Sequence, residues 1–351
     1  MSLIPAILQE FLLPGDVLGV TRHGTGHIND TFRVTVRAAL EERTYLLQRL
    51  NPGVFANAHE VMANMQLVTG HMAGALRRRG VTDVERRVPQ LVATREGQAF
   101  VRDVRGGVWR LLKFIPGTRT IDHAGTVEQA HQVGRAFGKF HVLMADFDGE
   151  LYEVIPGFHD TPARLAALEA AAREDAVGRF AGVRREVGQV LAAREEAGEL
   201  EALRQRGALP SRVAHHDAKV GNVLFDEKSG EALCVVDLDT VMVGTLLYDV
   251  GDLIRSVATA SAEDEPDVER IVVRHEFVDA ALRGYLSEAE GFLTPGEKAH
   301  LHLAGRVITL EQAARFLTDF LQGDNYYPVT RLTHNLDRAR VQLRIWEGLG
   351  G

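Results

Sequence analysis

The hydrophobic period of this chain shifts from two residues to about 3.6 near Ile115-Pro116-Gly117, and that shift constrains the fold most. Upstream, Thr31 to Val36, Thr44 to Arg49 and Val108 to Phe114 alternate as half-buried strands do. Between the last two, Val61, Met65, Val68 and Met72 recur at helical spacing, so one helix, Asn57 to Arg79, interrupts the strands. Met1 to Asp16, with Gln9 and Glu10 among apolar residues, reads as a short amphipathic helix. Downstream, Thr126 to Met144 places Val127, Ala130, Val133, Phe137 and Phe140 along one helical face. Asp160-Thr161-Pro162 starts another helical stretch, because Thr caps and Pro suits the first turn. The alanine-rich sequence beyond it, to about Arg206, reads as two helices broken near Gly178. Short β-rich runs return from Arg212 to Leu247, and helical patterns resume over Asp264–Gly284, Thr294–Leu321 and Thr333–Glu347. The expectation is an α+β protein of unequal lobes: residues 1–114, a sheet with one helix, and 115–351, mainly helical.

Charge and cysteine content exclude several partners. Forty basic residues stand against forty-eight acidic ones, a net charge of -8 that suits no broad phosphate-backbone footprint, so nucleic acid is not expected. A local basic pocket for one small phosphate ligand remains compatible with that balance. Cys234 is the sole cysteine, which rules out an intrachain disulfide and a multi-cysteine metal site. Nowhere do 18 consecutive apolar residues occur, so no spanning helix and no membrane partner are expected. The chain reads as cytoplasmic; its oligomeric state is not legible.

The chemistry concentrates between His215 and Asp252. Asp217 and Asn222 lie five positions apart in a turn-like, Gly-containing stretch that can aim both at one point. Asp237 ends a short apolar strand, where a carboxylate projects from a sheet edge. Two hard oxygen ligands, Asn222 and Asp237, together with phosphate oxygens suit Mg²⁺, which takes few protein ligands. Asp217 is then free to accept a proton from an attacking hydroxyl. A zinc site on His215, His216 and Asp217 is the alternative, but adjacent residues of an extended segment point apart and chelate poorly.

A nucleotide roof is expected upstream. His23 to Phe32 holds a Gly-containing turn in which Gly24 and Gly26, with Asn29 where a third glycine would stand, lead into Thr31 and a strand. Such a turn brings backbone N–H groups close to phosphates, although a plain hairpin looks the same. Arg49 is the candidate cation on the next strand, and Glu60, the only acidic residue of the following helix, is its candidate ion-pair partner or else a solvated surface side chain.

The pattern H-x-D-x4-N followed by a strand ending in Asp resembles the catalytic and metal-binding loops of protein-kinase-like enzymes. Asp237-Leu238-Asp239 makes the likeness specific to the aminoglycoside phosphotransferase and choline kinase branch. The resemblance implies a two-lobed protein-kinase-like fold with Asp217 as catalytic base, Asn222 and Asp237 holding Mg²⁺, and His215 bracing the loop. ATP is then expected between the lobes, against a hinge from Lys113 and Phe114 to Gly117. Gly26-His27-Ile28-Asn29-Asp30-Thr31-Phe32, Leu47-Gln48-Arg49-Leu50-Asn51, Ile155-Pro156-Gly157-Phe158-His159-Asp160-Thr161 and Arg315 to Asp324 resemble the N-acetylhexosamine 1-kinases more closely still. That family implies ATP- and Mg²⁺-dependent phosphorylation of the anomeric hydroxyl of GlcNAc or GalNAc. Ala63 and Val243 depart from its pattern.

A sugar site needs directional polar groups, and His159, Asp160, Arg164, Asp239, Arg315 and Asp319 are the candidates. Asp160 also suits a helix cap, and Arg315 with Asp319 suits an i,i+4 ion pair. Asp249 and Asp252 are expected to tie down the catalytic segment from behind. Kinases of another hydroxyl compound (an aminoglycoside, choline or homoserine) and a non-catalytic nucleotide-binding protein remain the competing readings.

Overall fold

The structure, a computed structural model, describes residues 3–24 and 29–350. It opens with helix α1 (Leu3–Gln9) and strands β1 (Asp16–Arg22), β2 (Asp30–Ala38) and β3 (Glu41–Arg49). Helices α2 (Ala58–Arg78) and α3 (Val84–Arg87) come next, then β4 (Val101–Arg102) and β5 (Val108–Lys113). The strands form one antiparallel sheet in the order β1-β2-β3-β5-β4. Strand alternation sorts its two faces. Val34, Val36, Tyr45, Leu47, Trp109 and Leu111 pack on one side with Ile7, Leu8 and Phe11 of the N-terminal segment. Gln48 and Arg110, paired across β3 and β5, stand on the other.

Helix α2 interrupts the strands in sequence, but its two halves serve different cores. Val61 and Met62 pack with Leu50, Phe55, Val108 and Met242, whereas Val68, Met72 and Leu76 join the core of the helical region beside Leu143 and Met144. One helix thus ties the sheet to the helical region.

Gly117, at φ +65° in the left-handed region, turns the chain out of the sheet region. Strand β6 (Thr118–Arg119) follows, then α4 (Val127–Met144), α5 (Thr161–Glu174), α6 (Arg184–Ala192) and α7 (Arg194–Gln205). Strands β7 (Arg212–Ala214), β8 (Val223–Asp226), β9 (Ala232–Val235) and β10 (Met242–Gly244) carry the segment of interest. Helices α8 (Leu246–Val257), α9 (His275–Ala289), α10 (Pro295–Ala299), α11 (Leu301–Gln322) and α12 (His334–Gly348) complete the fold. Helices α4 and α9 approach through glycines: a Cβ at Gly134 would fall on the Ala281 carbonyl, and one at Gly284 on that of His131.

Three helical expectations need correction. The stretch after Asp160 forms three helices, because the chain breaks at Ala193 as well as at Gly178. Residues 264–274 hold only a 3-10 turn at Val268–Arg270; Pro266 supplies no donor, and α9 starts at His275. The run from Thr294 splits at His300, since a capping box between Thr294 and Glu297 starts a short helix of its own. No helix among the described residues is long and apolar enough to cross a membrane.

Candidate active site

A β-hairpin gathers the central residues. Val223 pairs with Val235, and Val236 N–H donates to the Asn222 carbonyl at 2.9 Å, so residues 222 and 237 become neighbours although fifteen positions apart. Asp226 closes the hairpin by accepting from the N–H groups of Lys228 and Ser229. Beyond β9, Asp237 takes a left-handed backbone, φ 61° and ψ 53°. That turn exposes the Asp237 carboxylate, buries Leu238 in the core and turns Asp239 toward the sheet.

Asp217 faces Asn222. Its Oδ2 accepts from Lys219 Nζ at 2.7 Å and Asn222 Nδ2 at 2.9 Å, and its Oδ1 has no donor among the described residues. Burial alone would raise the Asp217 carboxyl, but Lys219, His215 and the Asn222 amide hold it below the ordinary carboxylate range. The Asp237 carboxyl moves the other way, up to about 6: although the side chain keeps access to solvent, the protein packed around it strips much of its hydration, and the charges of Asp239 and Asp217 repel its own. Asn222 spends its amide nitrogen on Asp217, which leaves Oδ1 as a hard ligand beside the Asp237 carboxylate, which has no hydrogen-bond partner among the described residues. Among the described residues no cluster of three or more His, Cys, Asp or Glu side chains could hold a metal ion, so the zinc alternative has no site.

The loop before Asp217 is fixed residue by residue. His215 is fully buried between Phe137 and Phe140. Its Nδ1 accepts from Asp217 N–H at 3.3 Å, which makes Nε2 the donor to the Val236 carbonyl at 3.0 Å. Asp249 accepts from the backbone N–H groups of His215 and His216 at 2.6 and 2.7 Å, and from His141 Nε2 at 2.7 Å. Burial would raise the Asp249 carboxyl, but the His141 hydrogen bond and the surrounding imidazoles hold it well below its usual range. Asp252 pairs with Arg255 at 2.6 Å.

Several expected contacts are redrawn. Arg49 and Glu60 form no ion pair; Arg49 lies on the opposite sheet face, over Trp109, with Asp103 at 3.9 Å as its carboxylate. One position decides this, since neighbours on a strand point to opposite faces. The cation facing the helical region is Arg110, 1 % exposed. It takes Gln48 Oε1 at 2.9 Å and forms a two-pronged pair with Asp239, Nη2 to Oδ2 at 3.1 Å. Asp239 is thus committed to Arg110 and to Asn29 Nδ2 at 2.7 Å, rather than open to a substrate. Asn29 Oδ1 accepts from Asn51 N–H, and Thr31 Oγ1 accepts from Gln48. Gly24 is left-handed at φ +75°, whereas Gly26 lies outside the described residues. The Lys113 and Phe114 amides donate to the Gln90 and Thr44 carbonyls, so neither is free for a nucleotide; the Phe114 ring lies against His23 and Arg33.

On the far side of Asp217, Asp160 caps α5 through Ala163 N–H, and Arg164 staples the preceding loop through the Gly157 and Phe158 carbonyls. His159 is buried between Glu311 and the His216 carbonyl. Asp319 does not pair with Arg315: it accepts from the N–H groups of Asn325, Tyr326 and Tyr327 and from Asn335. Arg315 lies over the Phe158 and Tyr327 rings, with Gln312 as its one side-chain acceptor among the described residues. Lys219, Arg110 and Glu311 escaped the sequence reading. Arg110 had left a signal, a lone charge inside Val108-Trp109-Arg110-Leu111-Leu112 that burial obliges to find a partner.

A five-stranded antiparallel sheet joined through a short linker to a helical region, with a loop-and-hairpin site between them, is the architecture of protein-kinase-like phosphotransferases. The chain belongs to the Phosphotransferase enzyme family, whose sequence profile matches residues 19–291. Solved structures agree in fold. A microcompartment-associated aminopropanol kinase aligns over 97 % of this chain and 93 % of its own at TM-score 0.60 and 16 % identity. A spectinomycin phosphotransferase, solved with ADP and spectinomycin, covers 95 % and 94 % at 0.57 and 13 %. Choline kinase from Cryptosporidium parvum covers 95 % and 88 % at 0.53 and 14 %.

Proposed function

We propose that this protein transfers a phosphoryl group from ATP to a hydroxyl of a small, uncharged acceptor, with the anomeric hydroxyl of an N-acetylhexosamine (GlcNAc or GalNAc) as the leading substrate. The carrying observation is the asymmetry of Asp217: one carboxylate oxygen is engaged by Lys219 and Asn222, and the other faces no protein donor among the described residues. That free oxygen orients an acceptor hydroxyl and takes its proton as the bond to phosphorus forms. Because Asp217 is held ionised, it is a weak base, and its larger contribution is to aim the hydroxyl.

Asn222 Oδ1 and Asp237 fit Mg²⁺, which needs few protein ligands beside phosphate oxygens. When bound, the ion offsets the charge on the phosphates. Residues 1–114 and 115–351 serve as the two lobes, and Leu224 and Val236, half-buried beside Ile115, supply an apolar floor for the base. Lys219 steadies Asp217 and adds positive charge near the transferring group.

The relatives named for aminopropanol and choline bring an amino-alcohol acceptor into consideration. Arg315 argues against it: the guanidinium has no salt-bridge partner among the described residues, and the nearby Glu311 carboxylate is itself engaged by His159 and Thr161. An ammonium group entering beside a guanidinium with no ion-pair partner is disfavoured, while a neutral sugar finds donors there. The closer motif resemblance points to the same class.

The test is Mg²⁺-dependent ATP consumption with GlcNAc, GalNAc, an aminoglycoside, choline, homoserine and no acceptor. Stimulation by the acetylated hexosamines is expected, and Asp217→Asn should lower kcat about 10²–10⁴-fold with ATP affinity kept. Turnover only with cationic acceptors, or unchanged kcat in the variant, would refute the reading.

A further inference from the structure

His216, immediately before Asp217, has a positive φ of 66°, a conformation that a residue with a Cβ adopts only when its surroundings impose it. Both of its flanking peptide groups are held. The His216 N–H donates to Asp249 Oδ1 at 2.7 Å, and the His216 carbonyl accepts from His159 Nε2 at 3.2 Å. The other ring nitrogen, His159 Nδ1, lies 2.8 Å from Glu311 Oε1, and Thr161 donates its hydroxyl to Glu311 Oε2 at 2.6 Å. A carbonyl and a carboxylate oxygen both only accept, so each ring nitrogen of His159 must carry a proton.

We propose that His159 is a positioning residue for phosphoryl transfer: as a buried imidazolium held by Glu311, it clamps the strained His216 peptide and thereby aims Asp217. The proposal rests on the kinase reading above and assigns His159 to the loop rather than to the acceptor.

The rings around it fit a charged His159 and a neutral His216. His159 is 7 % exposed and His216 5 %, and their rings stack at 5.4 Å with planes 13° apart. Tyr248 lies 4.8 Å from the His159 ring. Neither ring nitrogen of His216 finds a hydrogen-bond partner among the described residues. Burial and the neighbouring His159 charge push the His216 imidazole down to about 3, so it serves as an uncharged plate. Burial opposes the proton on His159, and so does Arg315 from α11, but Glu311 from α11 and Asp252 from α8 favour it, and the outcome is a raised value. Tyr248 from α8 is itself pushed above the ordinary phenol range by burial and by Glu201.

Two measurements test this. In the wild-type protein with labelled histidines, NMR should find both ring nitrogens of the His159 signal protonated at pH 7, the signal being assigned by its loss in His159→Gln. A neutral His159 tautomer would overturn the proposal, and this readout does not depend on any enzyme activity. In turnover, His159→Gln should lower kcat about tenfold or more with acceptor KM within threefold, since a charge-assisted hydrogen bond to the loop is lost. Glu311→Gln should move the alkaline limb of the kcat profile to lower pH by at least one unit. A tenfold rise in acceptor KM at unchanged kcat would make His159 a substrate contact instead, and an unmoved limb would remove Glu311 from the device. If no acceptor is phosphorylated at all, the functional reading fails while the NMR result still decides the clamp.

Discussion

Gly244 shows how tightly single residues are specified around Asp217. A Cβ at this position would come within 2.6 Å of His216 Cε1 and 2.8 Å of Nε2, so only glycine leaves the ring its place beside His159 and Tyr248. Gly244→Ala should therefore cost about 1–3 kcal/mol in urea unfolding, the usual range for overpacking. It should also depress kcat more than KM, because the displaced ring pulls on the peptide before Asp217. Equal kcat in the two proteins would show that the ring position does not matter. At this scale Asp217, Asn222 and Asp237 were legible from spacing, since a short loop and a hairpin bring them together by local geometry. Lys219 was not: two positions after Asp217, nothing in the order of residues separates a solvated loop lysine from one whose ammonium sits on the carboxylate.

Among elements, a buried ion pair reinforces the join between sheet and helical region that helix α2 makes. Arg110 on β5 and Asp239 in the turn after β9 are both almost fully buried, and Asn29 and Gln48 complete the network. Arg110→Met leaves Asp239 charged and unpaired in a dry setting, which costs about 3–5 kcal/mol. The double variant Arg110→Met/Asp239→Leu should recover much of that loss, and a double-mutant cycle in urea reads the coupling. Additive losses would mean that the pair carries no mutual energy. Sequence reasoning chose Arg49 on β3 because it sought a basic residue on that strand. The register of β3 against β5 placed its neighbour Gln48 on the inner face and gave the charge to Arg110. Period and breakers located most helices. They misjudged the stretches near Ala193, Pro266 and His300, where caps and local turns divide what periodicity alone runs together.

For the whole molecule, buried charges predict how stability varies with pH. Asp249 and Glu311 are both held below their ordinary values against the opposing effect of burial, chiefly by His141 and His159 respectively. Such groups stabilise above the unfolded carboxylate value, and the contribution is lost as pH falls through the depressed folded value. His159 works with the opposite sign. Its contribution is complete below its unfolded value of 6.5 and is lost as pH rises through its raised folded value. His216, kept neutral in the fold down to about 3, adds a loss that begins as pH falls below 6.5. The urea midpoint should therefore peak near pH 6.5 with a falling flank on each side, and Glu311→Gln should flatten the alkaline flank and part of the acid one. A midpoint constant from about pH 4 to about pH 9 in the wild type would contradict this. The sequence by itself determined the change from sheet to helices near residue 115, the Asp217-Asn222-Asp237 constellation and the family to which the chain belongs. Those features arise from periodicity and short-range spacing, which the order of residues encodes directly. Only the tertiary structure decided that Arg110 meets Asp239, that Asp319 ties down a loop, and that His159 turns toward the His216 peptide. Each joins residues that packing alone brings together, and a buried charge takes whichever partner the arrangement of distant elements puts within reach.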